Sequence, residues 1–158
     1  SEHHGNGGGI FIWESTPMLD HLTITGNTAD RGGGITTVRS DVTMSDIIIT
    51  GNNGLRSMGG LYIIGDPYAT TYRTRLNNVT ISGNTAEQGG GMYGSYANTG
   101  LFSSHNLTIV NNIATSAGGG IYGQINNIQF IPIFLFVLAV LGTFLFFIYK
   151  VLELVVNW

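Results

Sequence analysis

Aliphatic and polar positions alternate in four short segments of the chain, which begin at Leu22, Ile47, Val79 and Leu107. In each segment the first and third positions are aliphatic, and the sixth is asparagine. An alternation with a period of two is typical of a strand that turns one face inward. The pattern therefore predicts four equivalent strands, each followed by a polar corner. The corner asparagines are Asn27, Asn52, Asn84 and Asn112.

The distance between the corners indicates how these strands are connected. It is 25 residues from Asn27 to Asn52, 32 from Asn52 to Asn84 and 28 from Asn84 to Asn112. Such connections are too long for hairpins and lack the apolar spacing of three and four that helices need. We therefore predict an all-β fold, a parallel β-helix of about 4–5 coils over residues 1–124, in which equivalent residues stack about 4.8 Å apart. Glycines that tolerate the bend at each corner are predicted to stack beside the asparagines: Gly33, Gly59, Gly90 and Gly119.

Charged residues support the same register. Counting from the glycine corners places Glu14 over Arg39 in neighbouring coils. A second outer column alternates in sign and consists of Asp30, Arg56, Glu87 and Ser116. We expect these exposed pairs to specify register more than stability.

The C-terminal part has a different chemistry. Residues 130–149 contain no charged side chain, and twenty helical residues at about 1.5 Å each span the hydrocarbon core of a bilayer. We predict a linker at 125–129 and a transmembrane helix with a short tail at 130–158, so that the chain contacts the lipid bilayer. A buried core helix and a cleaved lipid-anchor signal are the alternatives. The expected anchoring residues are Pro132, Tyr149, Lys150 and Trp158.

The topology follows from the single flanking cation, Lys150, which places the tail on the cytosolic side. The β-helix is then extracellular, or non-cytosolic in an organelle. Because the chain begins in mid-coil, we expect missing sequence or another subunit to cover the N-terminal coil.

Differences in coil length collect on one side of the predicted β-helix, at residues 62–77 and 93–105. Insertions on one face are typical of a contact surface, and tyrosine and arginine are frequent in binding hot spots. We predict that this face binds a protein or a glycan; a decorated solvent loop is the alternative. Its candidate contact residues are Tyr62, Tyr68, Tyr72, Arg73, Arg75, Tyr93, Tyr96 and Phe102. Asn78 and Asn106 begin Asn-x-Thr sequons and are candidate N-glycosylation sites.

Other function classes are disfavoured. A net charge of −3 and arginines interleaved with acids argue against nucleic-acid binding. With no cysteine there are no disulfides or thiolate metal sites, and we expect no cofactor. The most promising catalytic column consists of Asp20, Ser45, Asn77 and His105 and contains one carboxylate. His21 and Asp46 lie in the adjacent column, and we expect them to point to the other face.

The columns carry a family resemblance. Ile-x-x-Asn recurs four times, from Ile24 to Asn27 and at equivalent places, and is paired with GGGI, MGGL, GGGM and GGGI. These motifs resemble the FxxN and GGA-aliphatic signatures of chlamydial polymorphic outer-membrane-protein repeats, with Ile in place of Phe and Gly in place of Ala. The resemblance covers residues 5–123 and implies a right-handed parallel β-helix displayed at a cell surface for adhesion.

Together these expectations describe a membrane-anchored, surface-displayed, non-catalytic β-helix with a structural or adhesive role. A scaffold subunit of a membrane assembly is the first alternative. A carbohydrate-active β-helix enzyme is the second, since many such enzymes have this fold.

Overall fold

The computed structural model describes residues 6–66, 72–97 and 102–125, and the secondary structure of this part consists of short strands. In the first half of the chain they are β1 (Ile10–Trp13), β2 (Met18–Asp20), β3 (Thr23–Thr25), β4 (Thr28–Arg31), β5 (Ile35–Val38), β6 (Val42–Thr50), β7 (Asn53–Ser57) and β8 (Leu61–Ile64). In the second half they are β9 (Thr74–Ser82), β10 (Thr85–Gln88), β11 (Met92–Ala97), β12 (Phe102–Val110), β13 (Ile113–Ala117) and β14 (Ile121–Ile125).

The strands form three parallel sheets that run along the molecule. The first is ordered β4-β7-β10-β13, and the second β1-β5-β8-β11-β14. The third is β2-β6-β9-β12, with β3 also paired to β6. Each complete turn of the chain contributes one strand to each of the three sheets. The predicted β-helix is therefore confirmed as a parallel β-solenoid of about four coils.

The interior is a column of aliphatic side chains from equivalent positions. In the third sheet Ile47 pairs with Val79, and Ile49 pairs with Ile81. All four side chains are buried, whereas their chain neighbour Ile48 is 45% exposed. The predicted alternation of inward and outward residues is therefore confirmed.

The corner asparagines form a continuous ladder inside the solenoid. Asn52 Oδ1 accepts hydrogen bonds from the backbone N and from Nδ2 of Asn27, both at 3.0 Å. Asn84 Oδ1 receives the same pair from Asn52, at 2.9 and 3.0 Å, and Asn112 Oδ1 receives it from Asn84, at 2.9 Å each. The amide of Asn84 also donates to the carbonyl oxygen of Ile49 at 3.0 Å. Asn52 and Asn84 are completely buried with their polar groups bonded, which confirms the predicted ladder.

The bends lie one residue earlier than the glycine ladder that the sequence predicts. Positive φ values occur in the preceding column, which consists of Gly7, Gly32, Met58, Gly89 and Gly118. The glycines of the predicted ladder are needed for a different reason. A Cβ on Gly59 would lie 2.4 Å from the carbonyl oxygen of Thr85, and one on Gly90 would lie 2.4 Å from that of Ile113. These glycines let neighbouring coils approach closely.

The long connections are shorter than the sequence predicts. Residues 62–64 belong to β8, and residues 74–77 pair with neighbouring coils as part of β9. Phe102 starts β12 and lies in the core with 4% of its surface exposed. Strand pairing therefore extends into both ends of the segments interpreted as insertions.

Within the described residues no helix has the length and hydrophobicity that crossing a bilayer requires. The predicted transmembrane helix at 130–158 lies outside them, together with its anchoring residues Pro132, Tyr149, Lys150 and Trp158. Strand β14 includes Ile125, the first residue of the predicted linker, and the rest of the linker is also outside the described residues.

Candidate binding surface

A small pocket opens where the second sheet turns into the third, beside the longest connection. Its volume is about 180 Å³. Strands β1 and β5 end at neighbouring positions of two coils, and left-handed residues follow each of them, Glu14 with φ 41° and Arg39 with φ 43°. We call this feature the corner pocket; its lining is Glu14, Ser15, Thr16, Arg39, Asp41 and Tyr72.

Ion pairing and ring contacts hold the wall of the corner pocket. Arg39 Nη2 lies 3.0 Å from Glu14 Oε1, which confirms the predicted stacking of this pair. The guanidinium carbon of Arg39 lies 5.7 Å from the centre of the Trp13 ring, a distance typical of a cation–π contact. Among the described residues the buried Arg39 Nε has no hydrogen-bond partner, and the Trp13 ring lies against the same guanidinium.

The floor of the corner pocket is built from backbone contacts between coils. The backbone N of Asp41 donates to the carbonyl oxygen of Ser15 at 3.0 Å. Ser15 N donates to Ser40 Oγ at 3.2 Å, and Arg73 N donates to Asp41 Oδ1. The pocket thus combines fixed carboxylates, hydroxyls and a guanidinium with an aromatic side chain, a set suited to a ligand rich in hydroxyl groups.

A ladder of tyrosines runs along the outside of the second sheet. The ring centres of Tyr62 and Tyr93 are 5.4 Å apart, and those of Tyr93 and Tyr122 are 5.5 Å apart. Exposure rises along the ladder from 8% at Tyr62 to 38% at Tyr122. Sequence reasoning missed Tyr122, although each of the three tyrosines follows its corner in the same Gly-Gly-x-Tyr pattern.

The predicted contact residues have several different environments. Tyr72 lines the corner pocket, Arg73 beside it is exposed, and Arg75 is half-buried in β9. Phe102 is a core residue and does not fit the predicted contact surface. Tyr62 and Tyr93 belong to the tyrosine ladder, Tyr68 lies outside the described residues, and only the backbone of Tyr96 is described.

The candidate catalytic column is in the predicted register, with Asp20 beside Ser45, Ser45 beside Asn77, and Asn77 beside His105. The expectation that His21 and Asp46 face away from Asp20 is wrong. His21 Nδ1 lies 2.8 Å from Asp20 Oδ2, and its Nε2 lies 3.6 Å from Asp46 Oδ2. The reason is the left-handed backbone at His21, with φ 51°, and at Asp46, with φ 55°, which breaks the alternation of the strand.

Two carboxylates therefore act on one imidazole at the surface. The hydrogen bond from His21 to Asp20, followed by the charges of Asp20 and Asp46, raises the pKa of His21 above its ordinary value of 6.5. One imidazole nitrogen of His21 and one carboxylate oxygen each of Asp20 and Asp46 lie within 4.8 Å of one another. Since each imidazole nitrogen faces a carboxylate, the arrangement favours the protonated form of His21.

The sequon asparagines continue this left-handed column, with φ 52° at Asn78 and 55° at Asn106. Asn78 Nδ2 donates to Asp46 Oδ1, and Asn106 Nδ2 donates to Asn78 Oδ1 at 2.8 Å. Both asparagines are exposed. Their amide nitrogens, to which a glycan would be attached, donate hydrogen bonds to neighbouring coils. Glycosylation at these two positions stays a prediction.

Residues 106–124 match the Chlamydia polymorphic membrane protein (Chlamydia_PMP) repeat family. This segment comprises the second half of β12, all of β13 and all but the last residue of β14, and it contains Asn112 and the Gly118–Gly120 corner. The resemblance drawn from the Ile-x-x-Asn and glycine motifs is thereby confirmed for this coil. No curated protein matches the chain, and no solved structure does.

Proposed function

We propose that this chain is a surface-displayed, non-catalytic β-solenoid that binds a glycan through the corner pocket, and that residues 130–158 anchor it in a membrane. The observation that carries the binding proposal is the corner pocket itself, where Glu14, Arg39 and Asp41 are held on left-handed turns and by bonds between coils. Preformed polar groups bind at a low entropic cost because few side chains have to be ordered by the ligand.

The display part of the proposal is supported by the repeat. The match at 106–124 is to a repeat of polymorphic membrane proteins, and a solenoid extends its side walls as a long lateral surface. The pocket lies on that lateral surface, next to the connection that varies most in length between coils. We place the solenoid on the extracellular or non-cytosolic side, as the position of Lys150 predicts.

Binding is tested with the full chain in lipid nanodiscs on a printed panel of neutral and acidic glycans. Glu14→Gln removes the carboxylate that pairs with Arg39. We expect this variant to bind the glycan about tenfold more weakly, because a charge-assisted hydrogen bond is lost. Glu87→Gln is the matched control, because Glu87 is an exposed carboxylate on the outer face of β10. If both variants bound the glycan equally well, the corner pocket would not be the binding site. If the parent chain bound no glycan on the panel, the proposal that the ligand is a glycan would be wrong.

Membrane anchorage is tested separately by protease protection of the chain in sealed vesicles. We expect the chain to stay with the vesicles in high salt and alkali, and the solenoid to be cut only from the non-cytosolic side. Release by salt would contradict the anchor. Co-purification with a fixed set of membrane subunits would favour a scaffold role instead.

A further inference from the structure

The outer face of the third sheet carries a regular grid of small β-branched side chains. It lies on β3 and on the second halves of β6, β9 and β12, and each strand contributes two outward residues to it. We call it the threonine facet. Its four rows are Thr23 and Thr25, Ile48 and Thr50, Thr80 and Ser82, and Thr108 and Val110.

The register between the rows is unbroken. Thr23 pairs with Ile48, Ile48 with Thr80, and Thr80 with Thr108; the second column runs in step from Thr25 to Val110. Neighbouring rows are therefore about 4.8 Å apart, and the two residues of a row about 6.6 Å apart.

Left-handed residues bound the facet on both sides. The column of His21 and Asp46 precedes it, and the column of Gly26 and Gly51 follows it. The left-handed backbone interrupts the alternation of faces at these columns, so the facet between them is a narrow strip, two side chains wide.

The side chains of the facet are rigid as well as regular. Seven of its eight residues are β-branched, and such residues have few χ1 rotamers. The eighth, Ser82, donates a hydrogen bond from Oγ to Thr50 Oγ1 at 3.3 Å, which couples two rows. Side chains with few rotamers lose little conformational freedom when a ligand binds.

The chemistry of the facet excludes most classes of partner. None of its eight residues is charged, so it offers nothing to phosphate groups or anionic lipid heads. None is aromatic, and stacking on sugar rings depends on aromatic side chains. Five of the eight side chains are exposed, with Ile48 and Val110 each at 45%, and Thr50, Thr80 and Ser82 are half-buried.

An uncharged surface of fixed period fits a ligand that is itself uncharged and periodic. We propose that the threonine facet binds ice. Methyl groups in fixed rows order the water between them, because water next to apolar groups loses orientational freedom. Hydroxyl groups at the same spacing then donate and accept hydrogen bonds that tie this ordered layer to the protein.

The test uses the full chain in lipid nanodiscs, with empty nanodiscs as the carrier control. The protein is partitioned into a slowly growing ice hemisphere, and the size of ice grains is followed during annealing at a temperature just below freezing. We expect the parent chain to be enriched in the ice fraction and to slow grain growth, since a bound layer blocks addition of water at the ice front.

Variants distinguish the facet from the rest of the surface. Thr80→Lys places a long charged side chain at the centre of the facet, between Ile48 and Thr108, and should abolish the enrichment. Thr115→Lys makes the same change at an exposed position of β13, on the first sheet, and should leave enrichment unchanged. Thr80→Val keeps the shape of the side chain and should keep most of the enrichment.

The proposal fails if the parent chain stays in the liquid fraction as empty nanodiscs do, or if Thr80→Lys and Thr115→Lys behave alike. It also fails if Thr80→Lys, but not Thr115→Lys, turns a dimer into a monomer, because the facet would then bind a second copy. Far-ultraviolet circular dichroism of each variant shows whether the solenoid is intact.

Discussion

At the scale of single residues, two glycines with different surroundings show what the tight coil spacing demands. Gly26 has φ 67° and no atom within 4 Å of the place where a Cβ would stand. Gly59 lacks a left-handed backbone, but a Cβ there would lie 2.4 Å from the carbonyl oxygen of Thr85 and 2.5 Å from that of Gly90. The first glycine is needed for its conformation and the second for space.

Alanine substitutions at these two glycines should therefore differ in cost. We expect Gly26→Ala to lower the free energy of unfolding by about 1 kcal/mol, the strain of a left-handed alanine. Gly59→Ala should cost about 3 kcal/mol, because two coils have to separate to admit the methyl group. Urea denaturation followed by circular dichroism measures both. A smaller cost at Gly59 than at Gly26 would show that the coils separate easily.

Met58 shows that strain at a corner is acceptable when burial offsets it. It stands where the other corners have glycine, with φ 59°, and is 7% exposed. A left-handed side chain costs about 1–2 kcal/mol, and burying a methionine gains about 1.5–3 kcal/mol. The two effects nearly balance, so sequence reasoning could not have excluded a large residue at this bend.

His21 gives the stability of the solenoid a dependence on pH. Its pKa is raised in the folded chain by the hydrogen bond to Asp20 and by the charges of Asp20 and Asp46. Because a raised pKa means that the folded state holds the proton more tightly, this contribution is complete below the ordinary value of 6.5. It is lost as the pH rises through the pKa of the folded state.

The ring protons of His21, followed by NMR as pH is varied, measure this pKa directly. We expect Asp20→Asn to lower the pKa of His21 more than Asp46→Asn does, since Asp20 supplies both the hydrogen bond and a charge. Asp30→Asn is the control, because Asp30 pairs with Arg56 on another sheet. The reverse order for the two aspartates would contradict the contacts described above.

At the scale of elements, the strands of the third sheet could be predicted because their alternation repeats. The repeated Ile-x-x-Asn motif places Ile24, Ile49, Ile81 and Ile109 in one column, and the strand register does the same. The asparagine ladder was predictable for the same reason, since a buried amide stacked on its own kind satisfies itself.

The candidate site was less predictable because it depends on departures from strand geometry. A left-handed residue inside β6 breaks the count of alternating faces, so the parity that placed Asp46 away from Asp20 does not hold beyond it. Glu14 and Asp41 lie in different coils and both line the corner pocket, which becomes apparent only when turn lengths are known. The sequence places Phe102 on the surface because the predicted insertion runs to 105, whereas β12 already begins at Phe102.

At the scale of the whole molecule, the solenoid is a stack in which each coil contacts its neighbours. The pairs of strands with the most contacts are β6 with β9 and β9 with β12, which belong to adjacent coils. The stability of such a stack is close to a sum over coils and over interfaces between coils. A complete coil is therefore the natural unit of loss or gain.

Deleting residues 27–51 removes β4, β5 and β6 and joins Gly26 to Asn52. Because these corners are 25 residues apart and equivalent, Asn52 takes the place of Asn27, and β3 aligns with β9 so that Ile24 stacks on Ile81. We expect this chain to keep the circular dichroism spectrum of a β-solenoid and to unfold cooperatively at a lower urea concentration, since one coil and one interface are gone.

Deleting residues 27–38 instead joins Gly26 to Arg39 and removes β4 and β5 while leaving β6. That chain lacks a strand in two of the three sheets and should lose the cooperative transition. A cooperative transition in both deletions would mean that stability depends on the single strands and not on complete coils.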